Sequence, residues 1–472
     1  MIKIAALAYL IFPILIFILN WTNLAWKSFT ISMIALTSIK ISKSYLIKPI
    51  KKISWSEYII MISIAFTWVW LSGIGGYAFQ NWDFQFRNAV LHDLINFAWP
   101  VYYDSAHILS YYFTFWLPSA LVGKMLGWNY ACLSLFCWSV IGISLTFLLA
   151  NNDSKMRVTY LAIFFILFSG MDVFGYFIDG LLWHHHFIPK IGEHIETWAE
   201  YLIQYSSFTT QLFWVFNQAI PTWIACMLLM DETEPVTLVT IWSLTLSYSP
   251  FCFIGTTPFI MSRLFIMKYK SASIARSEST HRLKSLQYLI APLAITLTFG
   301  LFFLTSDGIS KPSLLFKVES MHRLVLYFIF CIIEFGAFAI LAHTKNGPKQ
   351  YDLMTATGTL FAIPLIMISK SNDFCMRASI PALVFLFMSI IQSLQGTSLS
   401  STKKVILGIC LLIGAITPLQ EISRSFVNGV IISDNLKGFN KINPRFDLRP
   451  YIKNFVSKPI QNTVYQKWIA PK

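Results

Sequence analysis

The chain has 472 residues, of which 56% are hydrophobic, 16% aromatic and only 12% charged, and its mean hydropathy is +0.60. A soluble domain carries about 25% charged residues, so this composition excludes an ordinary soluble enzyme and points to a polytopic membrane protein. The net charge of +14 does not indicate a nucleic-acid partner, because the basic residues cluster between apolar runs and so report topology and contact with anionic membrane lipids.

The expected fold class is all-α, a polytopic transmembrane helical protein of about 13–15 crossings with interfacial helices in its outer loops. The apolar runs are continuous, whereas barrel strands alternate. The opening run, MIKIAALAYLIFPILIFILN, lacks a small-residue cleavage site and leads into further spans, so it is read as the first helix. Apolar length predicts further spans near 24–40, 57–74, 108–126, 130–150, 158–170, 211–230, 235–249, 251–268, 286–305, 323–343, 352–369, 379–396 and 404–420. The seven cysteines are scattered, show no metal spacing and read as small core residues.

Lys40, Lys43, Lys48, Lys51 and Lys52 mark a cytoplasmic loop, as does the run from Arg263 to Lys284. Lys345 with Lys349 and Lys403 with Lys404 agree. Loops 306–322 and 370–378 and the tail after 420 then fall outside. Counting forward from 40–52 places Asp83 outside, and counting back from 263 places 171–210 outside. The predicted spans between them differ from this by one crossing. The expected cause is 158–184, where a Gly-Met-Asp break divides RVTYLAIFFILFSGMDVFGYFIDGLLW into two half-helices.

Four stretches follow from this pass: an N-terminal two-helix segment at 1–56, a core with outer loops at 57–260, C-terminal helices at 261–420 and a short outer-surface tail at 421–472. Polar islands interrupt the spans at Asn81–Pro100, Asp172–Gln218, 247–258 and Ser371–Ser379.

The first island, NWDFQFRNAVLHDLINFAWP, holds Asp83, Arg87, His92 and Asp93. As a helix it places Val90, Leu91, Leu94, Ile95 and Ala98 on one face and His92 and Asn96 opposite, which suits a helix lying flat on a membrane. Asp83, just beyond a span and one turn before Arg87, suits a general base. It equally suits a helix N-cap with an ordinary ion pair to Arg87, and the two roles are compatible. His92 and Asp93 point about 100° apart on a helix, so they are not expected to form a dyad. Either can face a site, and Asp93 also fits a solvated face.

In the second island, His184 and His186 share a face only on a strand. With Glu193, Glu196 or Asp83 they are the one option for a divalent metal, and a solvated histidine cluster explains them as well. Gln218 closes this island as a substrate-binding candidate. In the last island, Arg377 beside Asp373 at a span edge suits an anionic partner such as a phosphate. A pair closing a helix start explains the same two residues. Glu334, in CIIEFGAFA, is mid-span with no visible relay of other acids, so it argues little for proton coupling. Trp82, Trp99, Trp183 and Trp198 sit in the islands, where aromatic rings can stack on sugars.

The acidic residue in NWDFQFRNAVLHDL, the following LSYYFTFWLPSALVGKMLGW, and the loops FSGMDVFG, QYSSFTTQLFWVFNQAIPTW and NDFCMRASIPAL together resemble the GT-C class of integral-membrane glycosyltransferases. The resemblance covers residues 57–260 best, plus the NDFCMR loop. It implies a GT-C-like fold in a bacterial plasma membrane. The implied activity is transfer of a sugar from a polyprenyl-phosphate donor to a glycan or lipid acceptor, during cell-surface glycan or glycolipid assembly. By position Asp83 matches the class's base. Arg377 is assigned to the lipid phosphate by its chemistry, not by a family motif. The chain departs from the class in having no large outer domain after its last span. A polytopic glycan polymerase or ligase, and a lipid-linked oligosaccharide flippase, are the alternatives.

Overall fold

The computed structural model describes residues 1–47, 51–183, 186–200, 202–272, 287–308, 312–315, 321–343, 350–368, 373–429 and 453–471. Among these residues the protein is helical apart from one short antiparallel pair, β1 (Pro312–Leu314) with β2 (Ile366–Ile368), and isolated bridges. Six helices are long and apolar enough to cross a membrane: Ile2–Trp21, Trp128–Asn152, Phe208–Met230, Pro250–Lys268, Arg323–Ala342 and Ser401–Val427. Leu24, Phe265, Ile340 and Leu412 are each more than 70% exposed, as a lipid surround permits.

Helices α1 (Ile2–Trp21), α2 (Leu24–Ile47) and α3 (Trp55–Leu71) lead to the first polar island, which forms α4 (Phe84–Asn96). Ser54 starts α3 by accepting the Glu57 N–H. The expected span at 108–126 is absent. Its helical part is α5 (Leu117–Leu126), started by Pro118 and ended at Gly127. Ten residues reach about 15 Å, half a bilayer core. Helix α6 (Trp128–Asn152) then runs the full length of the bundle.

The break inside 158–184 does form. It separates α7 (Val158–Ile166) from α8 (Asp172–Trp183). The carbonyls freed at the end of α7 find partners on the next helix: Thr209 donates its hydroxyl to Ile166 O at 2.8 Å, and the Phe208 N–H reaches Phe168 O at 3.3 Å. That next helix, α9 (Phe208–Leu229), bends at Val215, whose φ and ψ are −137° and 37°. The Phe208 ring lies 5.7 Å from the Trp223 ring, although a straight helix separates such residues by about 22 Å. Trp223 Nε1 also donates to Gln211 Oε1 at 2.9 Å. The segment is therefore sharply bent at Val215 and buried along its length.

The chain continues through α10 (Pro235–Tyr248), α11 (Pro250–Ala272), α12 (Ile290–Phe303) and α13 (Met321–Cys331). A π-helical turn, Ile332–Gly336, joins α13 to α14 (Ala337–Ala342). Then come α15 (Gln350–Ala362), α16 (Asp373–Ala378), α17 (Ile380–Gln395), α18 (Ser401–Gly414) and α19 (Ile416–Val427), with α20 (Val464–Trp468) in the tail. All seven cysteines are free thiols.

Side-chain contacts show which loops share an end of the bundle. At one end Lys51 Nζ donates to Asn151 Oδ1, Ser154 O and Met156 O, Gln395 reaches Ser154, Lys40 pairs with Glu234 at 3.0 Å, and Arg263 pairs with Asp352 at 2.9 Å. This is the end that the lysine runs assign to the cytoplasm. The other end gathers the α1–α2 turn, residues 106–110 that follow the first island, residues 305–308 and the tail: Asn23 bonds Ile469, Ser110 bonds Phe455, and Lys458 bonds Thr305.

Candidate functional site

The bend in α9 positions the first group of side chains. It releases the carbonyls of Phe213 and Trp214 from the helix. Asn81 Nδ2 donates to Phe213 O at 2.9 Å, and Arg87 Nη2 donates to Trp214 O at 2.8 Å. Arg87 is 3% exposed. It also gives Nη2 to Asp83 Oδ2 at 3.0 Å and Nη1 to the Tyr111 hydroxyl at 2.6 Å. Asp83 occupies the N-cap position of α4, yet its side chain caps nothing and is spent on Arg87. Burial pushes the Asp83 carboxyl up from its ordinary range, against the opposing pull of Arg87 and Arg377.

That pull reports a second finding. Arg377, nearly 300 residues away in sequence, lies in the same electrostatic environment as Asp83, Tyr111 and Tyr112. It pairs with Asp373 at 3.0 Å along α16, as their spacing predicts. Burial works against its charge, but Asp373, the two tyrosines and Asp83 outweigh that and raise its pKa. A close approach sets its position. A Cβ on Gly255 of α11 would collide with the carbonyl of Ala378, and the neighbouring Cys252 Sγ donates to Arg377 O at 3.3 Å. Gln218 is fully buried behind this contact and accepts the Ser249 hydroxyl at 2.7 Å. Among the described residues, three N–H groups of this cluster have no partner: Arg87 Nε, Arg377 Nε and Gln218 Nε2. The cluster thus has N–H groups to spare and suits an anion with several oxygens.

The other sequence candidates lie elsewhere. His92 and Asp93 do meet, with Nδ1 and Oδ1 3.1 Å apart, contrary to the angular expectation. Asp93 is fully buried, not solvated, because the Tyr103 hydroxyl holds its other oxygen at 2.7 Å. Asp93 is nine residues beyond Phe84 in a row of one helix, so the pair sits at the far end of α4 from Asp83. There His92 lines a cleft with Asn96, Lys124 and Trp128. His184, His185 and the Trp183 side chain lie outside the described residues. His186 is exposed. Glu193 is occupied by Tyr176 and by the Lys190 N–H. Among the described residues no three His, Cys, Asp or Glu side chains gather as a metal ion requires.

A second buried network was not legible in the sequence. Glu334, expected to be alone, has its carboxyl against that of Asp172 and accepts Trp198 Nε1 at 3.1 Å. Asp172 Oδ2 accepts the hydroxyls of Ser169 at 3.0 Å and Thr417 at 2.8 Å. Glu196 accepts the Ser207 N–H at 2.9 Å, the Thr210 hydroxyl at 2.6 Å and Gln204 Nε2 at 2.9 Å. His194 bonds Glu421, which also accepts Trp214 Nε1 at 3.1 Å. The Arg424 guanidinium sits 5.3 Å from the Trp214 ring. Trp214 is therefore shared, its indole serving this network and its carbonyl holding Arg87.

This network makes stability depend on pH. Burial, opposed by His194 and reinforced by Asp172 and Glu421, pushes the Glu196 carboxyl up to about 7 from an ordinary 4.5. Between those values the unfolded chain releases the proton and the folded chain keeps it. Stability is then full below pH 4.5 and falls as pH rises through 7, by about 3 kcal/mol from this one group. His194, also raised, by its contact with Glu421 and despite burial, adds a loss of the same sign. The melting temperature in detergent should fall from pH 5 to pH 8, and Glu196→Gln should flatten that slope. Parallel profiles for the two proteins would assign the slope to other groups.

Comparison with protein-family models, with curated proteins and with solved structures finds no match for the chain.

Proposed function

We propose that the protein is a glycosyltransferase of GT-C type. It transfers a sugar from a polyprenyl-phosphate donor to a glycan or lipid acceptor at the outer face of a bacterial plasma membrane. The observation that carries this reading is the set of buried N–H donors without partners, Arg87 Nε, Arg377 Nε and Gln218 Nε2, together with the Asp83 carboxylate that pairs with Arg87 at 3.0 Å. In the proposed reaction Asp83 takes the proton of the acceptor hydroxyl. The acceptor oxygen attacks the anomeric carbon, and the bond from that carbon to the phosphate oxygen breaks. Arg377, with Arg87 Nε and Gln218 Nε2, takes up the charge on the departing phosphate. The resemblance in the loop motifs supports the same reading. A polymerase or ligase would use the same groups on a longer glycan, and the mass of the transferred glycan separates the two.

Native mass spectrometry of the gently purified protein tests this. Wild type should carry a polyprenyl phosphate or its sugar adduct. Arg377→Ala should lose it, since truncating one side of a buried charge contact costs about 2–5 kcal/mol, roughly 30-fold or more in affinity. Retention of the lipid by Arg377→Ala would remove Arg377 from the role, and its absence from both samples would remove the donor class.

One observation favours a second reading, a proton-coupled flippase for a lipid-linked oligosaccharide. Glu334 lies on a π-helical turn and Asp172 at a helix break, both inside the bundle, and two carboxyl groups in contact are stable only when they share a proton. Proton uptake by proteoliposomes that depends on added lipid-linked glycan, and is lost in Glu334→Gln, would support it. Glycan transfer that survives Glu334→Gln, with no proton uptake in wild type, would count against it.

A further inference from the structure

We infer that the C-terminal segment is a wall of the candidate site and that Phe455 is a positioning residue, acting on Arg87 through Tyr111. The inference rests on the proposed function only in taking Arg87 to serve that site. The segment is stitched to residues 106–110, between α4 and α5. Phe455 O accepts the Ser110 N–H at 2.8 Å, the Ser457 N–H reaches Ile108 O at 2.9 Å, Ser457 Oγ accepts the Ile108 N–H at 2.9 Å, and the Ile460 N–H reaches Ala106 O at 2.9 Å. Beyond it Tyr465 donates to Trp21 O at 2.6 Å. These bonds hold the Phe455 ring against two others. One is Phe86, the residue before Arg87, at 5.4 Å and nearly parallel. The other is Tyr111, at 4.4 Å.

The consequence follows from the Tyr111 hydroxyl. It receives Arg87 Nη1 at 2.6 Å, and the Tyr111 ring lies 3.8 Å from that of Tyr112. Phe455 thus packs on Phe86, the residue before Arg87 in α4, and on Tyr111, which accepts the hydrogen bond of the guanidinium. It is 6% exposed, and removing its ring opens space into which Phe86 and Tyr111 relax. Arg87 then loses its fixed orientation while its own bonds to Asp83 and Trp214 persist. The tail, which composition marks only as a basic surface segment, is in this reading required for the site's geometry and not for its chemistry.

The test uses full-length Phe455→Ala, Phe455→Leu and Phe455→Tyr beside wild type, with two readouts. The first is titration of purified protein with undecaprenyl phosphate. Phe455→Ala and Phe455→Leu should bind about tenfold more weakly, as expected for two lost ring contacts, and Phe455→Tyr should be close to wild type. The second is the rate of solvent exchange of the Arg87 guanidinium protons in 15N-arginine-labelled protein, which senses the hydrogen bonds of Arg87 whether or not any lipid binds and is insensitive to the lost ring current of Phe455. Exchange should be faster in Phe455→Ala and Phe455→Leu and return to the wild-type rate in Phe455→Tyr. A wild type that binds no undecaprenyl phosphate would overturn the donor reading, and the exchange readout would then decide the inference alone. An Arg87 exchange rate unchanged in the leucine variant would overturn the inference. The leucine and tyrosine variants carry the comparison if the alanine protein does not fold.

Discussion

Asp83→Asn should keep the lipid donor bound and turn it over about a hundred- to ten-thousandfold more slowly, the range for loss of a positioned general base. The change is small in structure. An asparagine oxygen still accepts from Arg87 Nη2, so the pair that orders the start of α4 persists. What is lost is the capacity to take a proton. The Asp83 side chain is about a quarter exposed, 24%, while its arginine is almost closed off, so of this pair the carboxylate is the partner open to an acceptor hydroxyl. Burial has already raised its pKa, which makes the carboxylate a stronger base than a solvated aspartate. The check is single-turnover release of polyprenyl phosphate from a sugar-loaded donor, followed by mass. Near-normal turnover in Asp83→Asn would make Asp83 a structural partner of Arg87 and nothing more.

The two Asp–Arg pairs show what could be read from the sequence. Each is a four-residue spacing on a short helix, and both form as the spacing requires. The apolar stripe of α4 was also legible, with Val90, Leu91 and Leu94 buried. That the two pairs share one environment was expected on chemical grounds alone, because their approach is made by packing of α11 on α16 at Gly255. Local pattern failed where distant residues supply the missing partners. QLFWVFNQAIPTW reads as one apolar helix, with no glycine at the bend. The bend at Val215 is affordable only because Asn81 and Arg87 take the freed carbonyls. Glu334 looked solitary, Glu196 read as an option for a metal site, and Asp172 and Glu421 gave no signal of a shared network, since the four come from separate segments and meet only in the folded bundle. The span expected at 108–126 had the hydropathy for a crossing but not the helix length, a limit set by Pro118 and Gly127. Phe455 gave no signal, because its role depends on backbone bonds to a loop more than 300 residues earlier.

Arg87→Ala should be the most destabilising single change in the cluster, by about 3–5 kcal/mol, the cost of breaking a buried ion pair from one side. Three groups lose their donor at once. The Asp83 carboxylate is left without its nearest positive charge. The Trp214 carbonyl, freed by the bend in α9, is left facing no N–H. The Tyr111 hydroxyl loses its contact at 2.6 Å. The melting temperature in detergent, taken at one scan rate, should drop by several degrees. The size of the drop alone does not identify its source, so the decisive measurement is the double variant. If the unpaired carboxylate dominates the loss, Asp83→Asn placed on top of Arg87→Ala should restore part of the stability, even though it removes a second native group. Such a rescue has the sign opposite to simple additivity. If the freed carbonyl of Trp214 dominates instead, the double variant should melt at or below Arg87→Ala, and the main role of Arg87 is then to hold the bend of α9. The two outcomes also predict different fates for the buried acids. Loosening the bend moves Trp214 away from Glu421, so only in the second case should Arg87→Ala alter the pH dependence that Glu196 and His194 impose.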